Sequence, residues 1–310
     1  MSDKSTTVDI TIEERSAANL VRRHHVCFGG FLFATVVLAW RFLTALALYA
    51  IGNDSASHIL LIPFIAIFLV FVGRQSIFGK QLGWSFGWGS VAVSVGLLAL
   101  FNFDYRSPAA GSWSFSAAGV ALVAIWVAGF GMCYGWRAAQ SAQFSLWFLL
   151  LLVPWPDLLL SRVVHLLQSG STDIAYLLFR VAGVPVLRSG FVLSLPSVTI
   201  RVAEECSSIR SSIALFITCL LIAHLYLRKA WTTWIFLAVA IAFSVVKNGI
   251  RIATLTLLSV YVDPSFLRGS LHRDGGILFF LLALVMLWPA LLLLQRSEGS
   301  HAPSRLPQNS

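Results

Sequence analysis

The stretch RVAEECSSIR, residues 201–210, sets one thiol between two glutamates and two arginines, just ahead of a long apolar run. A cysteine thiolate is a strong nucleophile, and cationic neighbours raise its population. Far downstream, Arg251 and His272 supply the other parts of a thiol acyl-transfer site. An imidazole gives and takes protons near neutral pH, and a guanidinium stabilises a developing oxyanion. Cys206, Arg251 and His272 are therefore the candidate nucleophile, electrostatic clamp and proton carrier. Ser207 and Ser208 have no partner set of their own, and no Cys/His or His/Glu spacing suits a metal; the pattern calls for neither metal nor cofactor. Glu204 and Glu205 oppose the thiolate unless they are paired, with Arg201 and Arg210 the nearest cations in sequence.

What must position these residues is a membrane fold. Of 310 residues, 58% are hydrophobic and only 11% charged, against roughly 25% charged in soluble domains; mean hydropathy is +0.82. Crossing a bilayer core takes about 20 helical residues, and runs of that kind fall near 28–51, 59–73, 84–103, 115–134, 142–158, 207–227, 231–259 and 275–295. The sequence thus predicts an all-α integral membrane protein with about eight transmembrane helices. The count is open by one or two, because 59–73 is short and 158–182 is amphipathic enough to lie in the interface or re-enter it. The expected organisation is a tail at 1–25, one transmembrane domain at 26–296 and a polar tail at 297–310. Asp3, Asp9, Glu13 and Glu14 make the first 25 residues unlike a cleavable signal peptide, so the first span is expected to remain.

Lys and Arg in short connections set orientation. Arg22, Arg23, Arg74, Lys80, Arg137, Arg228, Lys229 and Arg296 all fall on one side of an eight-span chain, which is then cytoplasmic together with both termini. The net charge of +9 reads as topology plus attraction to anionic headgroups, and nothing suggests a nucleic-acid partner. Cys27, Cys133, Cys206 and Cys219 form no disulfide framework: the last two would lie about 20 Å apart on one helix.

Residues 154–206 depart from the run of apolar spans. Over 158–182 the helical period puts Val163, Leu166, Leu167, Ile174, Leu177 and Leu178 on one broad face, with Arg162, Gln168, Asp173 and Arg180 elsewhere. Then Gly183, Pro185, Gly190 and Pro196 punctuate two alternating runs, GFVLSL and VTIRVA, which predict a short extracytoplasmic hairpin before the sixth span. Cys206 falls where extended chain meets the outer end of that span. Arg251 lies some 20 residues into the seventh, about 30 Å from its inner end, preceded by Lys247 and Asn248; His272 sits in the next outer loop. All three candidates are thus expected at one depth on one face. Ionisable groups in a span are costly and tend to mark function. Arg41, near the middle of the first span, needs a buried partner.

These residues carry a resemblance. DSASHILLIPFIAIFLVFVGR (54–74), LLVPWPDLL, GVPVLRSGFVLSLPSVTIRVAEEC, KNGIRI and LHRDGGILFF together are similar to the exosortase/archaeosortase family of multi-pass cysteine transpeptidases, from about Asn53 to Phe280. The family's nucleophile falls on Cys206, its arginine on Arg251 of the Asn-x-x-Arg segment, and its histidine on His272. One departure is Ser208, where the family commonly has glycine.

The resemblance implies a substrate that composition does not reveal: secreted proteins bearing a C-terminal sorting signal of short motif, transmembrane helix and basic cluster, often of the PEP-CTERM type. Cleavage through a Cys206 thioester and transfer to an acceptor amine or to a lipid- or glycan-linked carrier would follow at the extracytoplasmic face of the inner membrane. Arg210, Glu205, Asn248 and His58 are supporting candidates. Arg210 either orients a substrate carboxylate or pairs with Glu205, the pairing being preferred; Asn248 holds the Arg251 guanidinium or a backbone group; His58 either joins the site or, preferably, serves helix-end structure. Two rival readings remain: a non-catalytic membrane component of extracellular polysaccharide assembly or export, and a hydrolytic protease using the same triad. A transporter would spread polar groups along several spans at mid-depth, whereas here, Arg41 aside, they gather at one outer face.

Overall fold

The computed structural model describes residues 3–79, 82–102, 112–202, 209–263 and 276–299. It divides into two compact units, Met1–Asp157 and Leu158–Ser310.

The elements described in the first unit are all helical: α1 Asp3–Leu38, α2 Trp40–Gly52, a 3-10 turn Asp54–Leu60 leading into α3 Ile62–Val72, then α4 Arg74–Phe78, α5 Gly87–Phe101, α6 Trp113–Tyr134, α7 Trp136–Ser141, α8 Gln143–Phe148 and a second 3-10 turn Leu149–Leu152. Its core at one end is aromatic. Phe28, Phe78, Phe130 and Tyr134 meet edge to face or tilted, with centroids 4.7 to 6.5 Å apart. Rings in this geometry gain beyond their buried area. The Cys27 and Cys133 sulfurs come within 3.9 Å as free thiols. Between α1 and α2 the chain bends by 75°, and Arg41, just past the bend, is exposed. The expected buried partner is therefore not needed, because the predicted first span is broken two residues before the charge.

The second unit holds α9 Asp157–Val181, of which all but the first residue belongs here, three short strands, α10 Ile209–Tyr226, α11 Ala230–Tyr261 and α12 Gly276–Glu298. The strands β1 Leu187–Ser189, β2 Val192–Ser194 and β3 Thr199–Arg201 form one antiparallel sheet in the order β1-β2-β3. Sequence reasoning expected two extended runs. The missed strand is Leu-Arg-Ser, too short to show alternation; Gly190, with φ +61° at the first position of the tight turn that follows, supplies the left-handed backbone that two-residue hairpin turns require. Leu193 and Val202 of this segment pack with Ala175 and Phe179 of α9 and Ile252 and Ala253 of α11.

The α9 helix is amphipathic as expected, with Arg162, Asp173 and Arg180 exposed. Leu166 and Leu177 are exposed, while Gln168, Ser171, Thr172, Ala175 and Phe179 are buried. In lipid the surroundings are as apolar as leucine, so small and polar side chains turn toward neighbouring helices.

Among the described residues, five helices are long and apolar enough to cross a membrane: Asp54–Val72, Trp113–Tyr134, Ile209–Tyr226, Ala230–Tyr261 and Leu278–Glu298. Two pairs, Asn19–Leu38 with Trp40–Gly52 and Gln143–Leu152 with Asp157–Val181, pass the same test only when each is taken as one interrupted span, giving up to seven. The third expected segment, 84–103, corresponds to a short apolar helix, Gly89–Phe101. The second span, expected to be short, gains length from the 3-10 turn at its start.

A carboxylate from α12 caps α11. The backbone N–H groups of Arg228 and Lys229 donate to Glu298 at 3.0 and 2.9 Å, and the Thr232 hydroxyl donates to it as well. An acceptor with negative charge satisfies orphan helix-start donors and complements the helix dipole. Glu298→Ala is expected to lower stability by about 1 to 2 kcal/mol, and Glu298→Gln by less; thermal unfolding of the purified protein in detergent measures both.

Candidate active site

Four polar residues of α11, Ser244, Lys247, Asn248 and Arg251, recur at the spacing that places them on one helix face. Ser244, Lys247 and Asn248 are buried, and Arg251 is half-buried. Each of the three buried groups reaches a hydroxyl on another helix. Ser244 meets Ser212 of α10 at 2.6 Å, the Lys247 ammonium donates to Ser211 of α10 at 2.5 Å, and the Asn248 amide donates to Ser171 of α9 at 3.0 Å. Such a polar seam is expected wherever polar groups leave water, since an unmade buried hydrogen bond costs about 1 to 3 kcal/mol.

Close backbone approach makes these contacts reachable. A Cβ on Gly249 would lie 2.5 Å from the Cβ of Ile174, and one on Gly170 would lie 2.7 Å from a Val245 methyl. The glycines, one on each of α9 and α11, remove the volume that would hold the helices apart. Gly249 belongs to the Asn-x-x-Arg segment itself, so the helix contact and the candidate arginine are built from one stretch of four residues. At the other end of α9's buried face, the Gln168 amide donates to the Val202 carbonyl. The chain leaving the sheet is thereby fixed to α9, and it resumes at Ile209, two residues before Ser211.

Cys206 and His272, together with Glu204 and Glu205, lie outside the described residues. The described chain supplies what flanks them. Before Cys206 stands the anchored Val202, after it the first turn of α10; His272 belongs to the connection from Asp263 to α12. Of the candidates that are described, Arg251 and Asn248 share the seam, and Arg210 is exposed at the second position of α10. His58 lies in the first unit, its ring hydrogen-bonded to the backbone of Ser55 and Leu151. This links the two 3-10 turns of that unit.

A family model described as a transmembrane exosortase matches residues 50–289. The chain belongs to the transmembrane exosortase family. No curated protein and no solved structure matches it. The matched range takes in every residue of the seam and every candidate site residue of this exosortase.

Sequence reasoning passed over Lys247, Ser171, Ser211, Ser212, Ser244 and Gln168 as site-forming groups. The spacing 244, 247, 248, 251 is readable as a single polar stripe, with Lys247 in the outer part of the helix. Which helices would answer it was not readable, because serine is common in membrane helices and gives no sign of its partner. Arg251 also lies further from its helix end than the span boundaries implied: ten residues follow it in α11, about 15 Å of helix.

The two glycine contacts separate by substitution. Gly170→Ala strains only against a methyl of Val245, so Val245→Ala is expected to restore stability in the double variant. Gly249→Ala meets the Ile174 Cβ, which is fixed to the α9 backbone, and is expected to lose more stability with no recovery from Val245→Ala. Thermal unfolding of the four variants and the parent in detergent decides both.

Proposed function

We propose that this exosortase is a cysteine transpeptidase that cleaves C-terminal sorting signals of secreted proteins at the extracytoplasmic face of the inner membrane. The observation that carries the reading is the buried polar seam ending at Arg251, in a chain of this family whose single cysteine in the 203–208 segment directly precedes the helix that seam grips. The chain crosses the membrane eight times with both termini in the cytoplasm, the five long helices, two interrupted pairs and Gly89–Phe101 each taking one crossing. The Glu298 cap supports that arrangement, since it sets the C-terminal end of α12 beside the basic α10–α11 turn.

In the proposed reaction the Cys206 thiolate attacks the scissile carbonyl carbon. The oxyanion that forms is stabilised by Arg251, and His272 delivers a proton to the departing amine as the C–N bond breaks. The thioester is then attacked by an acceptor amine or by a nucleophile on a lipid or glycan carrier, and the thiolate is released. Keeping water from the thioester favours transfer over hydrolysis. The substrate is itself membrane-inserted, with a PEP-CTERM-like motif, one transmembrane helix and a basic cluster, so a site at the outer interface meets the motif at its own depth. Arg210 and Asn248 support the site, Asn248 by holding the helix that carries Arg251.

Co-expression with candidate C-terminal-signal proteins from the same genome tests the reading, with the mature C-terminus measured by mass. Cys206→Ala and Cys206→Ser are each expected to abolish a defined cleavage while remaining in the membrane, and the wild-type product is expected to carry the acceptor as added mass. Arg251→Lys, which keeps the charge but loses the planar donor fork, is expected to slow processing by at least about tenfold, given about 10²–10³ for loss of one oxyanion donor. Processing that persists in Cys206→Ala overturns the assignment and favours a non-catalytic role in polysaccharide assembly. Cleavage with no added mass makes the protein a hydrolase.

A further inference from the structure

Among the described residues, Cys27 and Cys133 are the cysteines whose sulfurs meet, 3.9 Å apart across α1 and α6. Both are free thiols, Cys27 exposed and Cys133 buried. The reaction proposed above uses neither, and Cys27 precedes the range matched by the family model, which begins at residue 50. Thiols side by side on two helices share a chemistry that a single thiol lacks, since they can be oxidised to one disulfide within the chain.

The helices are held in register on both sides of the pair. One turn before Cys27, the His24 ring donates from Nδ1 to the carbonyl of Cys133 itself, and the His25 ring is hydrogen-bonded to the Tyr134 hydroxyl at 2.8 Å. His24 is also stacked on Trp84, with centroids 4.5 Å apart. One turn after Cys27, Phe31 packs on the bare Cα of Gly129, where a Cβ would come within 2.0 Å of the ring. Between these contacts Phe28 lies against Phe130 and Tyr134, with centroids 5.4 and 5.3 Å apart. Residues 24 and 31 of α1 thus meet 133 and 129 of α6, and the sulfurs face each other between fixed backbones. Bond formation asks them to close by about 2 Å, which rotation about the Cα–Cβ bonds covers.

Access differs between the two. Arg22 and Arg23 are exposed about 6 to 8 Å back along the helix from Cys27, and Cys133 is the next-to-last residue of α6, followed by exposed Arg137 in α7. Arginines at the ends of apolar runs reach water or headgroups, so the pair lies toward one polar boundary. An exposed thiol beside a buried one is the arrangement of an attacking and a resolving cysteine. We propose that Cys27 and Cys133 form a reversible modification site, closed into a disulfide by exchange with a small organic disulfide and locking α1 to α6 when closed.

The Cys27 sulfur, as thiolate, attacks one sulfur of the small disulfide. That S–S bond breaks, one small thiolate leaves and takes up the Cys27 proton, and a mixed disulfide remains on Cys27. The Cys133 sulfur then attacks the Cys27 sulfur and displaces the second small thiolate, which takes up the Cys133 proton. Two protein thiols are oxidised to one disulfide, and the small disulfide is reduced to two thiols. Excess small thiol reverses both steps, and on the cytoplasmic side proposed for this end reducing conditions favour the open dithiol.

The test uses purified full-length protein in detergent, first reduced and then exposed to oxidised glutathione, with the cysteines mapped by non-reducing peptide mass spectrometry. Wild type is expected to yield a Cys27–Cys133 linked peptide within one chain, released again by dithiothreitol. Cys133→Ser is expected to stop with glutathione on Cys27, and Cys27→Ser to leave the buried Cys133 unmodified. Cys219, buried in the second unit, is expected to remain a thiol and serves as internal control. Oxidised wild type is expected to unfold several degrees above reduced wild type, a shift absent from Cys133→Ser, because the bond closes a long loop. Three results overturn the modification site: no reaction at Cys27, glutathione that accumulates on wild-type Cys27 as it does in Cys133→Ser, or links between chains in place of one within the chain. Equal unfolding temperatures for oxidised and reduced wild type overturn the lock.

Discussion

The second unit depends on one constraint: α11 carries amide, ammonium and hydroxyl groups along a face that has no water to answer them. In hydrocarbon each such group must find a partner within the protein. Lys247, Asn248 and Ser244 find theirs on two different helices, Ser171 on α9 and Ser211 and Ser212 on α10. These bonds work only if α9 comes very near, and Gly170 and Gly249 permit that approach. The burial of polar groups on α9 follows from the same requirement. A helix that must offer Gln168, Ser171 and Thr172 to its neighbours has only lipid left for Leu166 and Leu177.

The seam also fixes both described ends of the segment that holds Cys206. Gln168 grips the Val202 carbonyl, and Lys247 and Ser244 grip the start of α10. Ahead of the first anchor the sheet does a further service. Its buried face, Leu193 with Val202, packs on Ala175, Phe179 and Ile252, so extended chain rests on the same two helices that carry the seam. Reactivity built on such a frame gains from rigidity, because groups held within small tolerances avoid ordering costs at the moment of reaction.

Much of this was legible in the sequence, and what was not has identifiable causes. Composition fixed the membrane class, and each of the eight apolar runs contains helix, although residues 84–86 and 153–156 within them are not helical. The interruption at Ala39 was hidden because no proline or glycine marks it, and the result reverses the expectation for Arg41. The third strand was hidden by its length. At the site, the stripe from Ser244 to Arg251 was written in the chain, since helical spacing alone reveals it. Its partners were not, because Ser171, Ser211 and Ser212 acquire meaning only through a tertiary contact between α9, α10 and α11. Glycine at 249 gave a faint signal, being expensive inside a helix by about 1 kcal/mol relative to alanine and so in need of a reason.

That reason connects packing to chemistry in a way that constrains variation. Asn248, Gly249 and Arg251 occupy a single turn, and each answers to a different demand: a hydrogen bond across to α9, room for that helix to approach, and a cation on the seam. Moving Asn248 or Arg251 along the helix by a single residue turns it about 100° away from the face the two share. A sequence that keeps the arginine while losing the glycine separates α9 from α11, and with them the Asn248 bond. The Asn-x-x-Arg segment is therefore better understood as one interhelical device than as an arginine with neighbours, and its tolerance to substitution is set by Ile174 and Ser171 on the opposite helix as much as by the reaction proposed for it.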